Sequence, residues 1–175
     1  NEDLLRKSRT QGQARGLRDY ELRKETNFKI LPKEFIEAMR GCDMAFLCNP
    51  NNPTGDLLSK EKVLGIAGAA RELKCYLILD EAFIDFCPDD SAIGYVQDNP
   101  FLIVLRSMTK FYAITGLRAG YGVFHPELIE RITEFKEPWT MNILAQKTAI
   151  AATDDMDYAA MTMDLIKKEK AFIEN

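Results

Sequence analysis

Short apolar runs alternate with amphipathic segments along this chain, the pattern of an α/β domain. MAFLC (44–48), YLILD (76–80) and FLIVL (101–105) read as strands, AGYGVF (119–124) as a further one and DYELR (19–23) as a weak one. KEFIEAM (33–39) reads as a short helix. Residues 59–74 form a longer helix capped by Ser59, with Val63, Ile66, Ala67, Ala70 and Leu73 on one face. Pro126 starts a helix whose apolar positions are Leu128, Ile129, Ile132 and Phe135, and Asn142 opens another through about Ala152. From about Asp157, Tyr158, Met161, Leu165 and Phe172 lie along one helical stripe. The strand runs lack clean alternation, so the expected sheet is mostly parallel and sandwiched by helices. Ligands of such sheets collect at the carboxyl ends of the strands.

Three polar constellations fall at those ends. NPNNPTG (49–55) follows the first strong strand, and its two X-Pro bonds make a stiff loop in which one bond could be cis. Such a loop can be a plain strand-to-helix connection, or it can hold the Asn52 amide as a donor to a ligand. LDEAFIDF (79–86) places Asp80 where the next strand leaves the core, and a carboxylate there calls for a cationic partner. The bland alternative is a helix cap or a link to a neighbouring loop. SMTKFYAITGLR (107–118) puts Lys110 near a strand end, where an amine can serve as a nucleophile. Ser107, Thr109 and Arg118 supply two hydroxyls and a guanidinium fork, a set that suits a phosphate dianion. Gly116 and Gly120 would permit tight backbone geometry around it. Each residue taken singly could be a solvated lysine, a structural arginine or an ordinary turn.

Composition narrows the class without choosing the chemistry. The 175 residues suffice for one domain with a core, and 46% hydrophobic with 29% charged residues is an ordinary globular balance. A net charge of −4 without a basic, aromatic-interleaved stripe argues against nucleic acid. The apolar runs are strand-sized, too short for a membrane span. Cys42, Cys48, Cys75 and Cys87 show neither a CxxC pair nor a nearby His at ligand spacing, so no metal site or disulfide is expected. The single histidine, His125, reads as a turn residue before Pro126. The polar start without an initiator Met and the final helix without a stop signal suggest an excerpt of a longer chain.

Together the constellations offer an amine for a carbonyl, an anion for a cationic ring nitrogen, an amide donor for a phenolic oxygen and a clamp for a phosphate. Pyridoxal 5′-phosphate carries all four complementary groups. NPNNPTG, LDEAFIDF and SMTKFYAITGLRAGYG, in this order and spacing, resemble the fold type I, aspartate-aminotransferase-like enzymes over about residues 17–175. The resemblance implies that Lys110 forms the covalent link to the cofactor and that Asp80 pairs with the pyridine nitrogen. It implies further that Asn52 donates to the ring hydroxyl and that Ser107, Thr109 and Arg118 hold the phosphate. Within the family, DEAFIDF, RSMTKFYAITGLR and EPWTMN look more like the threonine-phosphate decarboxylases than the histidinol-phosphate aminotransferases, which usually carry a tyrosine where this chain has Phe83.

That likeness implies loss of CO2 from L-threonine O-3-phosphate to give aminopropanol phosphate in cobalamin synthesis. A cytoplasmic homodimer is implied, acting on a small phosphorylated amino acid. By the same likeness, 1–16 is a polar leading segment and 17–156 a partial cofactor-binding large domain. Residues 157–175 would begin the helix toward an absent small domain. The alternatives are a histidinol-phosphate-type aminotransferase, a partial domain that binds little cofactor, and a phosphate or nucleotide binder without covalent chemistry.

Overall fold

A computed structural model describes residues 16–174. The expected leading segment, 1–16, thus lies outside the described residues except for Gly16. Four strands, β1 (Met44–Cys48), β2 (Tyr76–Asp80), β3 (Leu102–Ser107) and β4 (Gly120–Val123), form one sheet in the order β1-β2-β3-β4. The β1–β2 and β2–β3 pairs are parallel and β3–β4 is antiparallel. The parallel pairs need crossovers, and helix α2 (Lys60–Leu73) supplies the first. Three short 3-10 turns between Ile84 and Asp98 make up the second.

Helix α1 (Pro32–Met39) packs with α2 on one face of the sheet. Phe35 and Met39 from α1 and Val63, Ile66, Ala67 and Ala70 from α2 form the core with Leu47, Leu77, Leu79, Leu102 and Val104. The helix-period and strand-period patterns in the sequence therefore meet in one core. The opposite face is closed at its centre, where Ile78 and Ile103 are buried, and open toward β1, where Phe46 is 69% exposed. The sheet thus matches the incomplete α/β layer expected from the sequence.

Two local expectations change. The segment 19–23 is not a strand: it is irregular, with the Tyr20 ring edge-on to Phe35 at 5.4 Å and the Tyr20 hydroxyl accepting from Leu31 N–H at 3.1 Å. Packing of one aromatic against α1 takes the place of a ladder. Ser59 occupies the N-cap position of α2, but its side chain makes no capping bond. Asp90 accepts from Lys60 N–H at 3.2 Å instead.

Past β4, helices α3 (Pro126–Thr133), α4 (Ile143–Asp154) and α5 (Met156–Glu174) follow. The Asn142 side chain caps α4 by accepting from Ala145 N–H at 2.9 Å, as Asn at this position should. A second small core of Met108, Ala119 and Ala145 joins α4 to the segment after β3. The apolar stripe of α5 lies at the surface, with Met161, Leu165 and Phe172 all exposed. Among the described residues no helix is long and apolar enough to cross a membrane.

Candidate functional site

Cys48, Asp80 and Leu105 share one level across β1, β2 and β3, so the loops that follow these strands open on the same edge of the sheet. At the end of β1, Asn49 N–H donates to Asp80 O at 2.9 Å and carries the ladder one step further. The Asn49 side chain is 1% exposed. Its Nδ2 donates to Leu58 O at 3.1 Å while its Oδ1 accepts from Leu58 N–H at 2.8 Å. Inside this closure Gly55 N–H donates to Asn51 O at 2.7 Å, and both Asn49–Pro50 and Asn52–Pro53 are cis. Asn52 stands exposed on the loop so held.

At the end of β2 the Asp80 carboxylate is half-buried, and its Oδ1 accepts from Ala82 N–H at 2.9 Å. The chain then turns and sets the Phe83 ring 5.4 Å from Lys110 Nζ, a cation–π contact.

Beyond β3 the Lys110 ammonium donates to Ser107 Oγ at 3.0 Å. That hydroxyl also pairs with Thr109 Oγ1 at 2.8 Å. Lys110 is exposed, whereas Thr109 is 3% exposed and sits behind Ser107. The turn is anchored by the buried Met108 and Phe111, with Met108 N–H donating to Ala119 O at 3.2 Å. The Tyr158 hydroxyl of α5 donates to Phe111 O at 3.2 Å, which ties this helix to the lysine turn.

Cys48 reports on how these groups converge. Burial pushes its thiol up, and a hydrogen bond with the Asn52 backbone opposes this; Asp80 raises it further and Lys110 lowers it. The thiol thus lies within electrostatic reach of residues from all three strand ends. The Asn52 backbone, Asp80 and Lys110 all act on this thiol, and Ser107 is joined to the group through its bond from Lys110.

Arg118 is placed differently. It is exposed with a left-handed backbone, φ 56°, and its Nη1 donates to Thr115 O at 3.3 Å. Among the described residues no hydrogen bond links it to Ser107 or Thr109. Gly116 has open space around it, and the left-handed positions in this segment are Ala113 and Arg118 instead. Gly120 does carry a steric demand, since a Cβ there would stand 2.8 Å from Arg106 O on the paired strand.

Four residues of the site were missed by sequence reasoning: Cys48, Asn49, Glu81 and Arg106. Glu81 is wholly buried and forms an ion pair with Arg106 behind the site. An arginine closing an apolar strand run and a second acid following Asp80 were the signals available, because each demands a partner once buried. All four cysteines are free thiols, and His125 occupies the N-cap position of α3 without a side-chain capping bond.

Comparison with known proteins shows the family. The chain is 43% identical over 127 residues to histidinol-phosphate aminotransferase 2 of Archaeoglobus fulgidus, covering 73% of this chain and 36% of that protein. It is 39% identical over 158 residues to the threonine-phosphate decarboxylase of Salmonella typhimurium, covering 89% of this chain and 43% of that protein. The two activities are therefore matched at similar identity, and the chain spans less than half the length of either relative. The crystal structure of the histidinol-phosphate aminotransferase from Clostridium acetobutylicum superposes with a TM-score of 0.78 at 36% identity, over 85% of this chain and 46% of that one. That of the Sinorhizobium meliloti histidinol-phosphate aminotransferase in complex with pyridoxal-5′-phosphate gives a TM-score of 0.69 at 30% identity, over 75% and 36%. The sequence profile described as Aminotransferase class I and II matches residues 10–175, and the chain belongs to that family.

Proposed function

We propose that this chain supplies the lysine, ring and phosphate contacts of a pyridoxal 5′-phosphate site, in a protein that decarboxylates L-threonine O-3-phosphate to aminopropanol phosphate. Pyridoxal 5′-phosphate is the cofactor of the family to which the chain belongs. The observation that carries the reading is the Lys110 amine, exposed yet held between Ser107 Oγ at 3.0 Å and the Phe83 ring, at the strand end next to Asp80.

The donor set fits the group. Lys110 offers a primary amine to an aldehyde, and Asp80 offers a carboxylate whose Oδ2 has no protein partner among the described residues. Asn52 offers an exposed amide, and Ser107 a hydroxyl already facing Lys110. Bound there, pyridoxal 5′-phosphate supplies an electron sink for the bond broken at the substrate α-carbon. In this reading Asp80 keeps a proton on the ring nitrogen by charge pairing. Asn52 donates to the ring oxygen, and Ser107 and Arg118 donate to phosphate oxygens, with Thr109 holding the Ser107 hydroxyl in place. Lys110 Nζ would hold a proton that it can deliver to the substrate α-carbon.

The decarboxylase reading is preferred on resemblance, because Phe83 stands where the aminotransferases usually carry a tyrosine; without that hydroxyl, Asn52 is the donor to the ring oxygen from this chain. Residues 17–156 act as part of the large domain and α5 leads away from it, the protein working as a homodimer in the cytoplasm. Treating the chain with pyridoxal phosphate and borohydride, then mapping peptides, should label Lys110. An unlabelled Lys110 at saturating pyridoxal phosphate would overturn the cofactor reading. Supplying the longer protein that carries this chain with threonine phosphate and a keto acid should release CO2, and transfer of the amino group instead would favour the aminotransferase. The 175 residues alone should show weak cofactor affinity and no appreciable turnover.

A further inference from the structure

Directly behind the site lies a charge cluster that none of the proposed chemistry uses. All three nitrogens of Arg106 are engaged. Nη1 donates to Asp85 Oδ1 at 2.7 Å and Nη2 to Ser91 Oγ at 2.8 Å. Nε lies 2.9 Å from Glu81 Oε2, as an ion pair without hydrogen-bond alignment. The Arg106 side chain is 9% exposed and that of Glu81 0%. Glu81 also accepts from Ser91 Oγ and from Ala92 N–H, each at 2.8 Å.

The position of the cluster follows from strand alternation. Asp80 and Glu81 are consecutive, as are Arg106 and Ser107, and neighbouring residues on a strand point to opposite sides. Asp80 and Ser107 therefore face the site while Glu81 and Arg106 meet behind it. The β2–β3 ladder ends at this level, with Asp80 opposite Leu105 and Glu81 N–H donating to Leu105 O at 2.9 Å. Past that rung no backbone bond of the ladder fixes how far the loop after β2 stands from the lysine turn. Arg106 spans the gap. Its bonds to Asp85 and Ser91 also hold the segment that begins with Phe83.

We infer that Arg106 is a positioning residue, which from behind the site fixes the separation of Asp80, Phe83 and Lys110 through Glu81, Asp85 and Ser91. The inference rests on the reading of Lys110 as the cofactor lysine for its functional meaning, but the placement itself can be read without cofactor. A lysine at 106 keeps the charge and loses the planar fork that reaches three acceptors at once.

The test compares the unmodified chain with Arg106→Lys and with Val63→Ala, a core truncation on α2 far from the site that controls for lost stability. Each is acetylated with limiting acetic anhydride under conditions where circular dichroism shows it folded. The yield at Lys110 is read by peptide mass spectrometry relative to the exposed Lys168. Arg106→Lys should raise relative Lys110 acetylation several-fold, because the ammonium is no longer held by Ser107 and Phe83, and Val63→Ala should leave it unchanged. Equal ratios in all three chains, or the same rise in Val63→Ala, would overturn the inference. A parallel trapping with saturating pyridoxal phosphate and borohydride should label Lys110 less in Arg106→Lys than in the unmodified chain. Absence of label in the unmodified chain would count against the cofactor reading, while the acetylation ratio still decides the role of Arg106.

Discussion

Asn49 binds both backbone groups of Leu58, nine residues away, through the two polar atoms of its side chain. This buried pair of hydrogen bonds closes the loop that NPNNPTG opens, beside the end of β2, where Asn49 N–H donates to Asp80 O. Asn49→Ala strands the Leu58 N–H and C=O in a buried setting, at a cost of about 1–3 kcal/mol for each group left unsatisfied. Urea unfolding should show a loss of at least about 2 kcal/mol. Asn49→Asp should cost at least as much at neutral pH, since it desolvates a carboxylate that faces Leu58 O without the donor that bond needs.

Gly120 and Gly116 make a paired test of where the lysine segment is tight. A methyl at 120 would stand 2.8 Å from Arg106 O, so β3 and β4 must separate. Gly120→Ala should cost about 1–3 kcal/mol, the range for overpacking. Gly116→Ala meets open space at an ordinary backbone angle and should change stability by less than about 0.5 kcal/mol.

Cys48 offers a probe of the convergence of Asp80 and Lys110. Burial, chiefly, keeps its thiol protonated; Asp80 adds to this and Lys110 opposes it. At fixed mildly alkaline pH, Asp80→Asn should speed iodoacetamide alkylation of Cys48 a few-fold, and Lys110→Met should slow it. Peptide-resolved mass spectrometry separates Cys48 from the other three thiols. Equal rates in both variants would mean that neither side chain faces Cys48.

Asp85 should leave a signature in the pH dependence of stability. Burial pushes its carboxyl up, against the pull of Arg106. The folded chain therefore keeps a proton that the unfolded chain has already released, so this group makes stability fall as pH rises from the ordinary carboxylate range to its raised folded value. The unfolding free energy of the unmodified chain minus that of Asp85→Asn should decline across that window. A difference that rises with pH would mean that Arg106 outweighs burial.

The periodic pattern alone set the four strong strands, the five helices that pack or flank them, and the three strand ends where chemistry collects. Those features depend on neighbours in sequence, namely apolar run length, helical spacing and capping residues such as Asn142. The weak strand at 19–23 failed for the same reason it was weak: Tyr20 had a better contact in Phe35 than a ladder could offer. Only the tertiary structure decided which polar residues meet. It set Lys110 against Ser107 and Phe83, put the Thr109 hydroxyl behind Ser107, left Arg118 bonded to Thr115, and hid the Glu81–Arg106 pair behind Asp80 and Ser107. The bonds of Ser107 with Lys110 and Thr109, and of Arg118 with Thr115, are local, whereas the Phe83–Lys110 and Glu81–Arg106 contacts join segments far apart in the chain. Their partners are fixed by strand register and by the demand of each buried charge for an opposite one, and neither is written in local spacing.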